Sequence, residues 1–160
     1  MKSIMVQMSD HSWTLKAVHL ACALARGNQA YVVLVRMIPV THAGHLGTPH
    51  GYRAATVEEQ QDIKEYVSIA QDYQVKFILQ PMEYITIVDA IIDIAEILDA
   101  EFVFAHVPKS VIPYWQKFRI WRMEHRLIAQ NRRLFTLNDA AAEDRVPFVV
   151  GTRPHIPVSR

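Results

Sequence analysis

The sequence predicts an open parallel α/β domain with helices on both faces of its sheet, and three observations carry that prediction. Apolar runs of strand length alternate with amphipathic helical segments along the whole chain. A length of 160 residues, with 51% hydrophobic and 21% charged, suits one globular domain. No internal repeat or low-complexity tract interrupts the pattern. Strict alternation of strand and helix favours parallel strands, because each crossover must run back along the sheet and does so right-handed.

The first strand is the apolar run 4–8, and Ser9, Asp10 and Ser12 supply oxygens to cap the helix that follows. That helix is expected to bury Ala17, Leu20, Ala21 and Leu24 and to end at Gly27, the residue type favoured just past a helix. Residues 31–40 are β-rich and apolar enough for a central strand, and a loop rich in Gly, His and Pro fills 41–55. A capping box, Thr56-Val57-Glu58-Glu59, opens the second helix, with Ile63, Tyr66, Val67 and Ala70 on one stripe. Residues 75–80 form the third strand. The third helix, 86–98, separates Asp89, Asp93 and Glu96 from Val88, Ile91, Ile92 and Ala95, the pattern of a helix that covers a sheet with its acids in solvent. A fourth strand at 102–105, a basic aromatic helix at 114–130 and a fifth strand at 133–137 complete the domain.

Residues 1–138 are read as this domain and 139–160 as a C-terminal extension, in which VPFVV forms a further short strand. So apolar a segment needs cover, either by folding back or by joining a partner's sheet edge.

Charge and cysteine content narrow the function classes. A net charge of +1 argues against a polyanion partner for the whole molecule. Between Lys109 and Arg133, however, seven Lys/Arg face the single acid Glu124. This segment therefore carries +6 and the remainder −5. The preferred reading is a solvated helix face paired in part with the acidic third helix; an anionic small molecule held after strand four is the alternative. Tyr114, Trp115, Phe118 and Trp121 interleave with these cations as in single-strand binders. Yet Trp115, Phe118 and Trp121 or Ile128 fall near one stripe, so a core role is expected and nucleic acid is disfavoured. Cys22, alone in an apolar helix, reads as an inert core thiol in a reducing cytosol. No apolar stretch is long enough to span a bilayer and no leader is evident, so the expectation is a cytoplasmic protein without a membrane partner.

No catalytic set emerges. Nucleophile elbow, phosphate loop, H-E-x-x-H and paired Cys/His motifs are all missing from the sequence. His42, His45 and His50 share the long loop, but without a cysteine or an acid beside them a solvated loop is the expected reading and no metal is assigned. In open parallel sheets ligands bind beyond the carboxyl ends of the strands at the switch in strand order, here after strands one and four.

The order of these elements resembles the universal stress proteins over residues 2–138. Thr14-Leu15-Lys16-Ala17 stands where that family has Ser-x-x-Ala, and IVDAIIDIAEILDAEFVFA stands where it has a helix before an Ala-Asp-Leu-Ile-Val strand. The resemblance implies a five-stranded sheet of order 3-2-1-4-5. It also implies a two-fold homodimer through the last strand, placed here at 134–137 and 148–150. ATP-binding members carry Gly-x2-Gly-x9-Gly-Ser/Thr after strand four; the aligned positions here are His106, Lys109, Arg119 and Ile120, so all three glycines are missing. The family's acidic residue at the end of strand one falls on Ser9, with Asp10 next. Glycine would let peptide N–H groups reach a phosphate unobstructed, and Pro108 and Pro113 remove two further donors. The expectation is a non-enzymatic stress-response module with unknown protein partners, no cofactor and lost or altered ATP binding. The candidate ligand residues are Ser9, Asp10, Met37, His106, Lys109, Arg119 and Arg122.

Overall fold

In a computed structural model, which describes residues 2–49, 51–107 and 113–137, the chain alternates five strands with four helices. In order these are β1 (Ser3–Met8), α1 (His11–Asn28), β2 (Tyr31–Pro39), α2 (Val57–Asp72), β3 (Phe77–Tyr84), α3 (Ile87–Ile97), β4 (Ala100–Phe104), α4 (Pro113–Ala129) and β5 (Arg133–Phe135). The strands form one parallel sheet in the order β3-β2-β1-β4-β5.

Each inner strand is mostly apolar because both of its faces are covered. Side chains alternate across the sheet, so Ile4, Val6, Val32, Leu34, Phe102 and Phe104 enter the core beneath α1 and α2. Met5, Val33, Val35, Val103 and Ala105 enter the core beneath α3 and α4. On the first side α1 buries Trp13, Ala17, Val18, Ala21, Cys22 and Ala25. The alanines, one turn apart, let the helix approach the sheet closely. This arc differs from the expected one: the buried face is centred between the Ala17, Ala21, Ala25 row and the Thr14, Val18, Cys22 row, which leaves Leu20 off its margin and 47% exposed.

The capping box forms as expected, with Thr56 Oγ1 accepting from Glu59 N and Glu59 Oε2 accepting from Thr56 N. That backbone donor, with Arg36 beside it, holds the Glu59 carboxyl below its ordinary pKa. Helix ends depart from expectation. α1 runs through Gly27, and Gln29 takes the left-handed conformation at φ 53°, with Ala30 N donating to Ala25 O. Gln74, Asp99 and Asn131 take the same conformation after α2, α3 and α4. Every long helix therefore ends on a left-handed residue with a Cβ, where glycine would be less strained.

β3 extends past the expected limit, through Pro81 to Tyr84 in unbroken register with β2. It is an edge strand, so an absent amide hydrogen is tolerated. β5 is shorter than the expected 133–137.

The main correction concerns α4. The sequence places Trp115, Phe118 and Trp121 or Ile128 in the core, but Trp115 and Trp121 are each 57% exposed, Phe118 50% and Ile128 60%. The buried residues are Met123 and Leu127, with Ile120 packed beside them. Both helix faces are apolar, and the smaller unbranched or γ-branched side chains fit the space beside α3.

Two stability measurements follow. Leu127→Ala should cost about 2–5 kcal/mol in denaturant unfolding, whereas Phe118→Ala should stay within about 0.5 kcal/mol; equal losses would contradict this orientation of α4. Gln29→Gly should raise stability by about 0.5–1 kcal/mol as the left-handed strain is relieved.

Candidate functional site

Beyond the carboxyl ends of β1 and β4 the strand order switches, since the connection from β1 leads to β2 on one side and β4 lies on the other. Three of the candidate residues meet there. Ser9 Oγ lies 2.6 Å from His106 Nδ1, and the His106 ring stands 5.3 Å from the indole of buried Trp13. Asp10, the third, is exposed and serves as N-cap of α1 by accepting from Trp13 N at 3.0 Å. Its carboxylate is thus already used by the helix it precedes.

Among the described residues, three peptide donors of this crevice are also committed. Ser9 N donates to Thr14 Oγ1 at 2.9 Å, His106 N to Gln7 Oε1 at 2.9 Å, and Ala105 N to Phe135 O at 3.1 Å. Gln7 and Thr14 are buried, and their inward side chains leave no alternative partner in water. Trp13 Nε1 donates to Leu137 O, tying α1 to the chain after β5. Gln7, Trp13 and Thr14 were not singled out in the sequence. Gln7 meets His106 across 99 residues and Trp13 meets Leu137 across 124, separations that no local spacing reveals.

The remaining candidates lie elsewhere or are committed. Met37 is half-buried near the end of β2, in the core beneath α3, opposite Met82. Arg122 donates to Asp89 of α3 at 3.2 Å and Arg126 lies 3.6 Å from the same carboxylate. Gln130 and Arg132 make similar contacts with Glu96 and Asp99. The basic segment thus pairs with the acidic helix, as the preferred reading expected, although the outer carboxylate Asp89 is paired and not merely solvated. Arg119 is exposed. Lys109, and residues 148–150 of the expected dimer contact, lie outside the described residues.

Two polar groupings escaped sequence reasoning. Arg36, buried in the apolar β2, donates to Arg53 O at 2.7 Å and to Glu59 Oε2 at 3.2 Å, pinning the long loop to the start of α2. His11 of α1 lies 3.1 Å from Asp62 and 3.5 Å from Glu65 of α2, and the three offer ligand atoms within 4.8 Å of one another. His11 and Glu65 are exposed and Asp62 is half-buried, and Tyr66 OH also meets His11 at 3.3 Å, so helix-to-helix pairing accounts for the group. In the loop, His42 and His45 meet edge to face at 5.5 Å, and Glu83 Oε2 accepts from Gly47 N. Gly51 is required by close approach, because a Cβ there would strike the carbonyl of His45. His50 lies outside the described residues. Among the described residues no helix is long and apolar enough to cross a membrane.

Sheet order and crevice position define an open, doubly wound α/β domain. No family model and no curated protein matches the chain. Solved structures do: the chain has the fold of the universal stress proteins. A universal stress protein in complex with cAMP matches with TM-score 0.62 at 16% identity, over 87% of this chain and 98% of that one. A protein of that family from Burkholderia pseudomallei matches with TM-score 0.57 at 14% identity, over 85% and 95%. The universal stress protein from Archaeoglobus fulgidus in complex with dAMP gives 0.51 at 17%, over 86% and 98%.

Cys22 has no place in the site. Burial in α1 pushes its thiol pKa up to about 11. Ellman's reagent should leave it unlabelled in the native chain and label it fully in denaturant. Rapid native labelling would show that the packing of α1 on the sheet is looser than described.

Proposed function

We propose that this chain is a divergent universal stress protein, a cytoplasmic, non-enzymatic module that acts in stress response by pairing with a second copy and with other proteins, its ATP binding lost. One observation carries the reading. The main-chain N–H groups of Ser9, Ala105 and His106, at the rim where phosphates would need bare donors, already donate within the chain. Recruiting them for a ligand means leaving Thr14, Gln7 or Phe135 unmatched, at a cost of about 1–3 kcal/mol for each buried group. The lack of glycine at 106, 109 and 119 acts in the same direction, because a Cβ in place of glycine hinders the close approach of backbone to phosphate.

The solved complexes with cAMP and dAMP favour one rival reading, a sensor in which a nucleotide is held by side chains instead of by peptide groups. Arg119 and Lys109 would have to supply most of the charge, since Arg122 is engaged by Asp89.

Thermal unfolding with Mg-ATP, AMP and cAMP separates the two. The proposed reading expects an unchanged midpoint at millimolar nucleotide. A bound ligand at a hundredfold excess over its dissociation constant would add about 2.7 kcal/mol, a shift of several degrees, and would favour the sensor. Light scattering at micromolar concentration should give the mass of a pair; a monomeric mass would remove dimerisation from the proposal.

A further inference from the structure

The outward face of α4 is used by nothing described so far. Tyr114, Phe118, Trp121, His125 and Ile128 follow one stripe opposite Met123 and Leu127, with Trp115 beside them.

 An ordinary amphipathic helix keeps that outer face polar; here it is aromatic. The rings form a ladder: Trp115 meets Phe118 edge to face at 6.2 Å, Phe118 lies 5.9 Å from Trp121, and Trp121 stacks on His125 at 5.5 Å. Tyr114, Trp115 and Phe118 enclose a shallow hollow of about 250 Å³ at one end. The stripe spans 15 residues, about 21 Å of helix from its first to its last Cα.

Its flanks are cationic. Lys117, Arg119, Arg122 and Arg126 border the rings, Glu124 is the one acid on α4, and Asp89 of α3 offsets part of the charge of Arg122 and Arg126. This charge selects the occupant. A second copy seated on the stripe by a two-fold axis would set cations against cations. Single-stranded nucleic acid would suit the charge, but it needs open ring faces along a groove, and these rings pack against one another on a convex helix. An anionic lipid surface asks for what is present: a continuous apolar stripe rich in Trp, Tyr and Phe, lying parallel to the surface, with Lys and Arg reaching headgroups on either side.

We propose that the outer face of α4 is a peripheral docking surface for anionic membranes, with the Tyr114 to Ile128 stripe entering the headgroup boundary and Lys117 and Arg119 contacting lipid phosphates. The sequence expectation of no membrane partner rested on the lack of a spanning segment, and docking of this kind needs none.

Flotation of the full chain with vesicles tests this, with tryptophan emission followed in parallel. The chain should float with phosphatidylcholine vesicles containing phosphatidylglycerol, with a blue-shifted emission, and should not float with phosphatidylcholine alone. The double variant Phe118→Ser/Trp121→Ser keeps Met123 and Leu127, and circular dichroism checks that it folds; its partitioning should fall by about tenfold or more, and Lys117→Gln by about fivefold. No flotation with the anionic vesicles, or equal flotation of the double variant, overturns the proposal. So does binding of a single-stranded oligonucleotide in place of vesicles through the same rings. A mass by light scattering that falls from two copies to one in the double variant would overturn it in favour of an interface between copies.

Discussion

Burial of both faces of the central strands governs the rest of this molecule. β1 has covered side chains above and below, so Ile4 and Val6 commit one helix layer and Met5 the other. A one-residue slip would exchange the two layers at once. The constraint fixes where β1 and β4 stop, hence where Ser9 and His106 emerge, and it brings together residues that sequence distance keeps apart.

Glycine is scarce in this chain, and the scarcity links the helix ends to the crevice. Five glycines occur in 160 residues, none at the left-handed positions 29, 74, 99 and 131. The same economy leaves side chains at the positions after β4 where bare peptide would be needed for a phosphate. Polar side chains then take up the backbone donors: Gln7 from below the rim and Thr14 from the first turn of α1. The described rim of the crevice keeps its place at the strand ends while three of its peptide donors are turned inward.

Much of the architecture was legible in the sequence. The order of the elements, the capping box at Thr56 and the division of α3 into acidic and apolar sides follow from local pattern alone, and the structure reproduces them. What local pattern missed has physical causes. Periodicity finds an apolar stripe but not which of two stripes faces inward, and α4 has both; packing beside α3 chose Met123 and Leu127 over the rings. The rotation of α1 turned on the burial of Thr14, Val18 and Cys22 beside the alanines, and the C-terminal end of that helix on a glutamine adopting a conformation usually left to glycine. Of the site, the strand ends were legible and the pairing of Ser9 with His106 was not. Arg36 was hidden because one charge within a β-rich run does not alter its period.

Pro81 gives the sheet a direction. Set within the β3 margin, it withholds an amide hydrogen from any strand that might be laid alongside. The three-residue β5 margin carries no proline. Strand addition is therefore obstructed at the β3 margin, and a sheet hindered on that side is poorly suited to growing edge on edge into a fibre.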